Sequence, residues 1–354
     1  MALDEMKIAI LGAGIGGLAA ARALALQGTD VTVLEQAPEI KEVGAGLQVS
    51  PNGFRVIEAL GLGDALRAVS VRAEAVRLKD YRGSSVARLD LGQLDSRDYH
   101  FVHRADLIAL LAQGARDAGA KIRLLQHGVS VEDGTPATLR LSHGDHLDAD
   151  LIIGADGLHS VARAALNGTL APFFTGQVAW RATLPNRAGR GSEAWVHMGP
   201  HRHIVSYPLR DRSMLNLVAV QERAAWTEES WSQRDDPAHL RAAFADFGPE
   251  VQAMLADVEE VHLWGLFRHP VAPRWHGEGV ALLGDAAHPT LPFMAQGACM
   301  ALEDAWVLAD ALSLPGRLQP RLAAYQTRRA GRVGKVVEAA NGNAWKYHLA
   351  NPAL

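Results

Sequence analysis

Apolar residues near the start of the chain follow the order strand, helix, strand. The run Lys7–Leu11 leads directly into glycines and predicts a buried parallel strand. Leucine and alanine then recur at helical spacing over residues 15–27, and Gly28 stands where a helix would end. The β-branched run Val31–Leu34 predicts a second strand. Together these segments predict a βαβ unit.

The pattern changes in two later stretches. Residues 76–91 show short alternating segments that are typical of antiparallel strands. Residues 176–221 contain four more strand-like segments, which are 178–184, 194–197, 204–209 and 215–221, and no convincing crossover helix. Turn residues separate these segments. They predict a larger mixed sheet.

Further βα segments surround the strand-rich stretches. Helical patterns cover 104–118, 296–312 and 318–346, and predicted strands lie near Ile122 and Leu139 and at 151–153 and 280–283. We therefore expect an α/β protein in which a Rossmann-type nucleotide-binding domain (1–75, 101–172 and 270–354) is interleaved with a β-sheet substrate domain (76–100 and 173–269).

Composition narrows the classes of function. The 354 residues carry 35 basic and 39 acidic side chains, a net charge of −4, which argues against a nucleic-acid partner. Cys299 is the single cysteine and cannot form an intrachain disulfide. The apolar stretches are too short to cross a membrane, and the acidic start does not resemble a secretory signal. We expect a cytoplasmic protein with no membrane contact and no metal site.

Residues 12–17 read Gly-Ala-Gly-Ile-Gly-Gly between the first strand and helix. In such a turn Gly12 allows the tight bend, Gly14 lets a pyrophosphate approach the backbone, and Gly17 lets the helix pack on the strand. Glu35, at the end of the second strand, is placed to bind ribose hydroxyls and disfavours a 2′-phosphate. The motif predicts a bound dinucleotide, FAD or NAD; the alternative is a glycine-rich turn without a ligand.

Four further segments carry a family resemblance. Residues 154–163 (Gly-Ala-Asp-Gly-Leu-His-Ser-Val-Ala-Arg) and 284–289 (Gly-Asp-Ala-Ala-His-Pro) resemble the D-G and G-D fingerprints of flavoprotein aromatic hydroxylases. Residues 295–305 resemble the family's helix beside the flavin, and 103–107 resemble its arginine-bearing helix start. The chain thus resembles single-component hydroxylases of salicylate, 3-hydroxybenzoate and 6-hydroxynicotinate. The resemblance implies a p-hydroxybenzoate hydroxylase-like fold.

The resemblance implies FAD as the bound cofactor. Arg104 would lie against its pyrophosphate or ribityl chain, and Asp285 would accept hydrogen bonds from ribityl hydroxyls. The backbone amides of Gly297 and Ala298 would stabilise negative charge on the reduced flavin. The alternative for Asp285 is a helix cap.

The resemblance also implies NAD(P)H as a transient co-substrate, with NADH favoured. Asp156 and Arg163 would link the FAD side to nicotinamide docking, or else form a pair that stabilises their turn. A homodimer would suit the family.

His203 and Tyr207 are the candidate catalytic pair. A spacing of four places them on one face of a strand, and related hydroxylases share the spacing. A C4a-hydroperoxyflavin is a weak electrophile, so a base that deprotonates a phenol would activate the ring. Histidine, with an ordinary pKa of about 6.5, suits this role and predicts a near-neutral limb in the pH profile. Tyr207 would bind the same oxygen or a carboxylate. The alternative is a histidine packed beside a tyrosine.

The family places further residues near the flavin ring and the substrate. Pro292 would orient the oxygen species through its carbonyl, and its presence shifts the expected substrate toward salicylate-like acids. The candidate pocket residues are Gln48, Trp195 and Phe293, and Trp180 is a further candidate. The alternatives are a solvated loop for Gln48 and ordinary core packing for the aromatic side chains.

The sequence therefore predicts an FAD-dependent monooxygenase that hydroxylates a small phenolic acid with NAD(P)H and O₂. The alternatives are a flavin-dependent reductase of the geranylgeranyl type and a non-catalytic binding protein on the same scaffold.

Overall fold

The computed structural model describes residues 2–40, 45–93, 98–225 and 233–349. The strands are β1 (Lys7–Leu11), β2 (Asp30–Leu34), β3 (Gly46–Val49), β4 (Ser70–Arg72), β5 (Ala75–Asp80), β6 (Ser85–Asp90), β7 (His100–His103), β8 (Lys121–Arg123), β9 (Gly128–Glu132), β10 (Ala137–Leu141), β11 (His146–Ala149), β12 (Leu151–Gly154), β13 (Phe173–Pro185), β14 (Glu193–Gly199), β15 (Arg202–Leu209), β16 (Met214–Glu222), β17 (Arg234–Asp235), β18 (Val261–Arg268) and β19 (Val280–Leu282). The α-helices are α1 (Ile15–Ala25), α2 (Pro51–Ala59), α3 (Gly63–Val69), α4 (Arg104–Asp117), α5 (Val161–Asn167), α6 (Pro237–Ala243), α7 (Pro249–Ala256), α8 (Gly297–Ser313) and α9 (Leu318–Lys346).

A five-stranded parallel sheet has the order β19-β12-β1-β2-β8. Apart from the edge strand β8, its strands are mostly apolar and buried because helices cover both faces. The small residues of α1 allow close packing against α8. A Cβ on Gly16 would lie 2.5 Å from the Leu283 side chain and 3.2 Å from Ala301 Cβ. The predicted βαβ unit is confirmed.

An eight-stranded mixed sheet has the order β17-β18-β13-β16-β15-β14-β5-β6. The β14–β5 pair is parallel, and the other pairs are antiparallel. The predicted α/β fold with a second, mixed sheet is confirmed. All eight strands lie within 75–90 and 173–268, while the assignment of these segments to a separate domain stays a prediction.

The two faces of the large sheet differ. Helices α6 and α7 cover the outer face, where Trp180 and Ile204 pack with Phe244 and Leu255. The inner face carries Tyr207, and it meets the small sheet β3-β7-β4 and the segment before α8. The inner face therefore lies toward the parallel sheet. In the described part of the chain, no helix combines the length and apolar character that a membrane crossing requires.

The buried Asp304 carboxylate joins three parts of the fold. It accepts hydrogen bonds from the Gly284 amide (3.0 Å) and from Arg329 Nε on α9 (2.6 Å), and it pairs with His288 Nε2. Burial works to raise the pKa of Asp304, but His288 and Arg329 outweigh it and hold the pKa below its ordinary value. Burial works to lower the pKa of His288, and Asp304 reverses this and leaves it raised. The carboxylate of Asp304 is therefore ionised at neutral pH, and its pairing with His288 favours the imidazolium form of that ring.

Replacing Asp304 with alanine should reduce the free energy of unfolding by about 3–5 kcal/mol, because His288 would lose its carboxylate partner and the buried Arg329 would keep only Glu303. Urea unfolding would measure the loss. The difference from wild type should be greatest between the lowered pKa of Asp304 and the raised pKa of His288, since the carboxylate is lost below that window and the imidazolium above it.

The matched control is Asp310→Ala. Asp310 also links α8 to α9, through Arg328 at 2.6 Å, but both side chains are exposed. The expected loss is below about 1 kcal/mol. Equal losses in the two variants would contradict the role given to burial.

Candidate active site

The glycine turn after β1 opens onto empty space. Gly12 has a φ of +106°, and a Cβ there would overlap the Ala155 carbonyl. A Cβ on Gly17 would overlap the Gly12 carbonyl oxygen, so the start of α1 packs directly on the turn. A Cβ on Gly14, in contrast, would meet nothing within 4 Å. The helix N-terminus thus has room for a pyrophosphate over its N–H groups.

Glu35 lies beside this turn at the end of β2. Its carboxylate accepts hydrogen bonds from the Ala13 amide (2.8 Å) and the Ala37 amide (2.9 Å). These bonds orient the side chain, and a carboxylate has further acceptor positions for ribose hydroxyls.

Asp285 and Arg104 face an enclosed space. Asp285 follows β19, and its side chain is accessible even though the surrounding protein raises its pKa through desolvation. Arg104 is the first residue of α4 and is partly accessible, while burial lowers its pKa and Asp285 opposes that effect. An accessible yet desolvated acid and base border an interior cavity rather than open solvent.

The N-terminus of α8 lies on the same side of the molecule as Asp285 and Arg104. Gly297 and Ala298 are partly accessible, and the preceding Ala295 adopts the left-handed conformation with a φ of 51°. Gln296 holds the turn in place: its amide donates to Ser50 Oγ (2.9 Å) and accepts from Asn52 Nδ2 (3.1 Å). The sequence analysis missed Ser50 and Asn52, because only the fold brings the start of α2 beneath this turn.

These groups fit FAD. The open helix N-terminus would take the pyrophosphate, Glu35 a ribose, and the enclosed Asp285 and Arg104 the polar chain between the phosphates and the ring. The N–H groups at the start of α8 would face the flavin.

Asp156 and Arg163 make separate structural contacts. Asp156 accepts hydrogen bonds from two amides at the start of α5, at 2.8 and 3.4 Å. Arg163 is buried and donates to three backbone carbonyls in the loops on either side of β19, at 2.7 to 3.2 Å. Each of the two residues therefore stabilises the backbone segments that it contacts. A role of the two in nicotinamide docking stays a prediction.

The register of the large sheet defines the inner face. His203 on β15 lies opposite Val220, and Tyr207 lies opposite Asn216. Arg181 on β13 belongs to the row between them, since it pairs with Val218. One face thus presents a histidine, an arginine and a tyrosine in successive rows.

His203 is buried beneath the segment that leads to α8. Its ring packs edge-on against Phe293, with centroids 5.2 Å apart, and against Tyr347. Its Nδ1 is hydrogen-bonded to His348 Nε2 at 2.8 Å. Burial and then the neighbouring His348 hold the pKa of His203 well below 6.5. This lowered pKa favours a neutral ring at pH 7 and argues against the near-neutral titration that the sequence analysis expects for His203.

Tyr207 lies at the other end of the inner face. It packs on Phe101 with ring centroids 5.0 Å apart, and a Cβ on Gly46 would lie 2.6 Å from its ring. Gly46 is held there because its amide donates to Asn216 Oδ1 at 2.6 Å. Burial raises the pKa of Tyr207, so its hydroxyl stays protonated and can donate a hydrogen bond.

Arg181 is the functional candidate that the sequence analysis missed. Its guanidinium lies 4.6 Å from the Trp264 ring centroid, and its buried Nε has no hydrogen-bond partner among the residues that the structure describes. Burial lowers its pKa to about 10, yet the side chain is partly accessible, so it faces an interior space. Within the described ranges no carboxylate pairs with it. The sequence signal that could have identified Arg181 was a charged residue within an otherwise apolar predicted strand.

Two predicted pocket aromatics lie on the wrong face. Trp195 pairs with Ser206, which alternates with Tyr207 along β15, so the indole belongs to the outer face. There it stacks with Lys79 and Arg190. Trp180 also packs on the outer face, against Phe244. Both pocket assignments are corrected.

The other pocket residues lie on the inner side. Gln48 on β3 accepts a hydrogen bond from the Tyr99 hydroxyl at 2.7 Å. Pro292 and Phe293 form a short 3₁₀ turn immediately before α8, and Phe293 touches His203. The roles of all three in binding stay predictions.

Comparison with known proteins agrees with this geometry. Residues 5–340 match the family model described as "FAD binding domain". The 3-amino-4-hydroxybenzoate 2-monooxygenase of Streptomyces cremeus is 36% identical, over 98% of this chain and 88% of its own length. The 6-hydroxynicotinate 3-monooxygenase of Bordetella bronchiseptica is 34% identical, over 98% and 93%. Klebsiella pneumoniae HpxO, solved with FAD and uric acid, superposes with a TM-score of 0.87 at 29% identity, covering 97% of this chain and 89% of its own.

The matches cover nearly the whole chain, and the site residues fit the cofactor that the family model names. The chain belongs to the FAD binding domain family and, within it, to the FAD-dependent aromatic monooxygenases.

Proposed function

We propose that the protein hydroxylates a small aromatic acid that carries a phenolic hydroxyl and a carboxylate, with NAD(P)H and O₂ as co-substrates. The observation that carries the proposal is Arg181, an enclosed cation without a carboxylate partner in the described part of the chain, on the same face as His203. An unpaired buried charge is costly, and an acidic substrate would neutralise it.

The spacing of the polar groups supports a substrate with an oxygen at each end. His203 and Tyr207 are four residues apart on β15, so their Cα atoms lie about 13 Å from each other. This separation favours two different substrate oxygens, one for each side chain, over a single shared oxygen. A ring with a hydroxyl directed to His203 and a carboxylate directed to Arg181 and Tyr207 would bridge the interval.

Each residue then has one task. The neutral His203 accepts the phenolic proton, which moves electron density into the ring. Arg181 and the protonated Tyr207 hold the carboxylate and orient the ring. FAD, when bound and reduced by NAD(P)H, would activate O₂ so that one of its oxygen atoms can be transferred to the ring. Phe293 and Trp264 cover this space with apolar surface and exclude water.

A substrate screen tests the proposal. The FAD-loaded protein would be assayed with 3-amino-4-hydroxybenzoate, 6-hydroxynicotinate, 3-hydroxybenzoate and salicylate, with NADH and NADPH in turn. We expect at least one acid to stimulate NAD(P)H oxidation and to gain one atom from ¹⁸O₂. Benzoate is the control, because it offers the carboxylate without the hydroxyl and should gain none. Reduction of an acid without oxygen uptake would indicate a flavin-dependent reductase instead.

Arg181→Met should raise the KM for the acid by about ten- to a hundredfold, the loss of roughly 1.5–3 kcal/mol expected for a hydrogen bond to a charged group. Steady-state kinetics would measure it, and the flavin content should stay unchanged. Arg190→Met is the matched control, since Arg190 also lies 4.6 Å from a tryptophan ring, but on the outer face. Equal rises in KM would remove Arg181 from the substrate site.

His203→Gln should keep bound flavin and slow hydroxylation by about a hundredfold or more, as expected for loss of a general base. Because the pKa of His203 lies well below 6.5, its neutral, active form persists as the pH falls through 6.5. The wild-type rate of ring hydroxylation should therefore show no His203 limb at that pH. A wild-type limb near 6.5 that disappears in the variant would contradict the low pKa.

A further inference from the structure

A hydrogen-bonded chain leads from His203 to the protein surface. His203 Nδ1 lies 2.8 Å from His348 Nε2, and His348 Nδ1 lies 2.7 Å from Glu222 Oε1. The second carboxylate oxygen of Glu222 lies 2.7 Å from His201 Nδ1. The side chains become progressively more exposed outward, from 2% for His348 to 38% for Glu222 and 77% for His201. The chain therefore connects the inner face with solvent.

The partners determine where the protons lie. A carboxylate accepts, so His348 Nδ1 must donate to Glu222. In the neutral His348 ring Nε2 is then an acceptor, and His203 Nδ1 must donate to it. This leaves the lone pair of His203 on Nε2, which makes no hydrogen bond in the described part of the chain. The base is oriented with its accepting atom free and its donating atom directed outward.

Backbone contacts hold this arrangement in place. His348 follows α9, and its carbonyl accepts from the His201 amide at 3.2 Å. The His201 carbonyl in turn accepts from the Glu222 amide at 3.0 Å. Glu222 and His201 also line a surface cleft together with Gln177. The outer end of this hydrogen-bonded chain is thus fixed at an opening to solvent.

We propose that His348 and Glu222 form a proton relay that carries the phenolic proton of the substrate from His203 to solvent. The proposal rests on the proposed function, because it takes the proton that His203 removes. In this proposal His203 is the catalytic base. His348 and Glu222 do not touch the substrate and take part only by passing on the proton that leaves His203.

The proton steps balance without any other reactant. The phenolic proton binds to His203 Nε2 as the Nδ1 proton passes to His348 Nε2. The Nδ1 proton of His348 passes to Glu222, which releases it to water or to His201. When the hydroxylated ring becomes aromatic again, the proton on its newly hydroxylated carbon is lost to water. The ring oxygen takes up a proton from His203 Nε2, and the same transfers then run in reverse. The two rings then regain their starting tautomers.

Two variants test the relay. Glu222→Gln keeps an oxygen that can accept from His348 but cannot carry the proton, and His348→Gln interrupts the chain in its middle. Each should lower kcat about ten- to a hundredfold, a fraction of the full effect of general-base catalysis, with KM and flavin content nearly unchanged. The assay uses the one of the four acids that the wild-type protein hydroxylates fastest. The solvent deuterium isotope effect on kcat should rise.

The matched control is Glu250→Gln. Glu250 also lies beside a buried sheet histidine, His197, at 3.4 Å, but on the outer face. The kcat of the Glu250→Gln variant should equal that of the wild type. A purely structural role for His348 is excluded by His348→Ala, in which added imidazole should restore turnover as a mobile proton carrier. Wild-type kcat in Glu222→Gln and His348→Gln, or no rescue by imidazole, would overturn the relay.

A measurement without substrate separates failure of the relay from failure of the proposed function. In the FAD-loaded protein labelled with ¹⁵N-histidine, NMR should show His203 and His348 both neutral and protonated on Nδ1. Any other pair of tautomers would overturn the relay even if the acids are hydroxylated. If the tautomers are found and no acid is hydroxylated, the proposed function fails and the relay has no proton to carry, which overturns it too.

Discussion

The fold depends on one buried carboxylate. Asp304 holds the turn that carries Asp285, the histidine of the same turn, and the long helix α9 through Arg329. A carboxylate removed from water is stable only if such partners compensate for its lost hydration. The partners lie on segments that are distant in sequence, so the ion cluster fixes α8 and α9 relative to β19. This contact positions both the N-terminal end of α8, which we expect to face FAD, and the long helix α9 that leads to His348.

Much of the fold could be predicted because its signals are local. The apolar run before Gly12 and the helical spacing after it depend only on neighbouring residues, and Leu318–Lys346 forms one helix as expected. The face assignment of Trp195 failed for a physical reason. Alternation shows which residues of a strand share a face, but it does not show which face meets the cofactor. That choice depends on the order of the strands, which no local pattern encodes.

The site residues also fall into two groups: those that local sequence patterns predict and those that only the completed fold brings together. The glycine turn, Asp285 and the start of α8 follow fingerprints in the sequence, whereas Arg181 acquires meaning only when β13 and β15 are brought into one sheet with β16 between them. His348 could not be found from the sequence, because 145 positions separate it from His203. Contacts of that range depend on the completed fold.

The depressed pKa of His203 explains why a route for protons matters. A buried imidazole without a nearby anion resists the positive charge, so at neutral pH it cannot keep a proton that it removes from a substrate. Glu222 cannot relieve this directly, since His348 lies between them. If each proton received on Nε2 is matched by one that leaves from Nδ1, His203 never has to carry a lasting charge. The apolar enclosure that we propose around the substrate ring would then remain compatible with acid–base chemistry inside it.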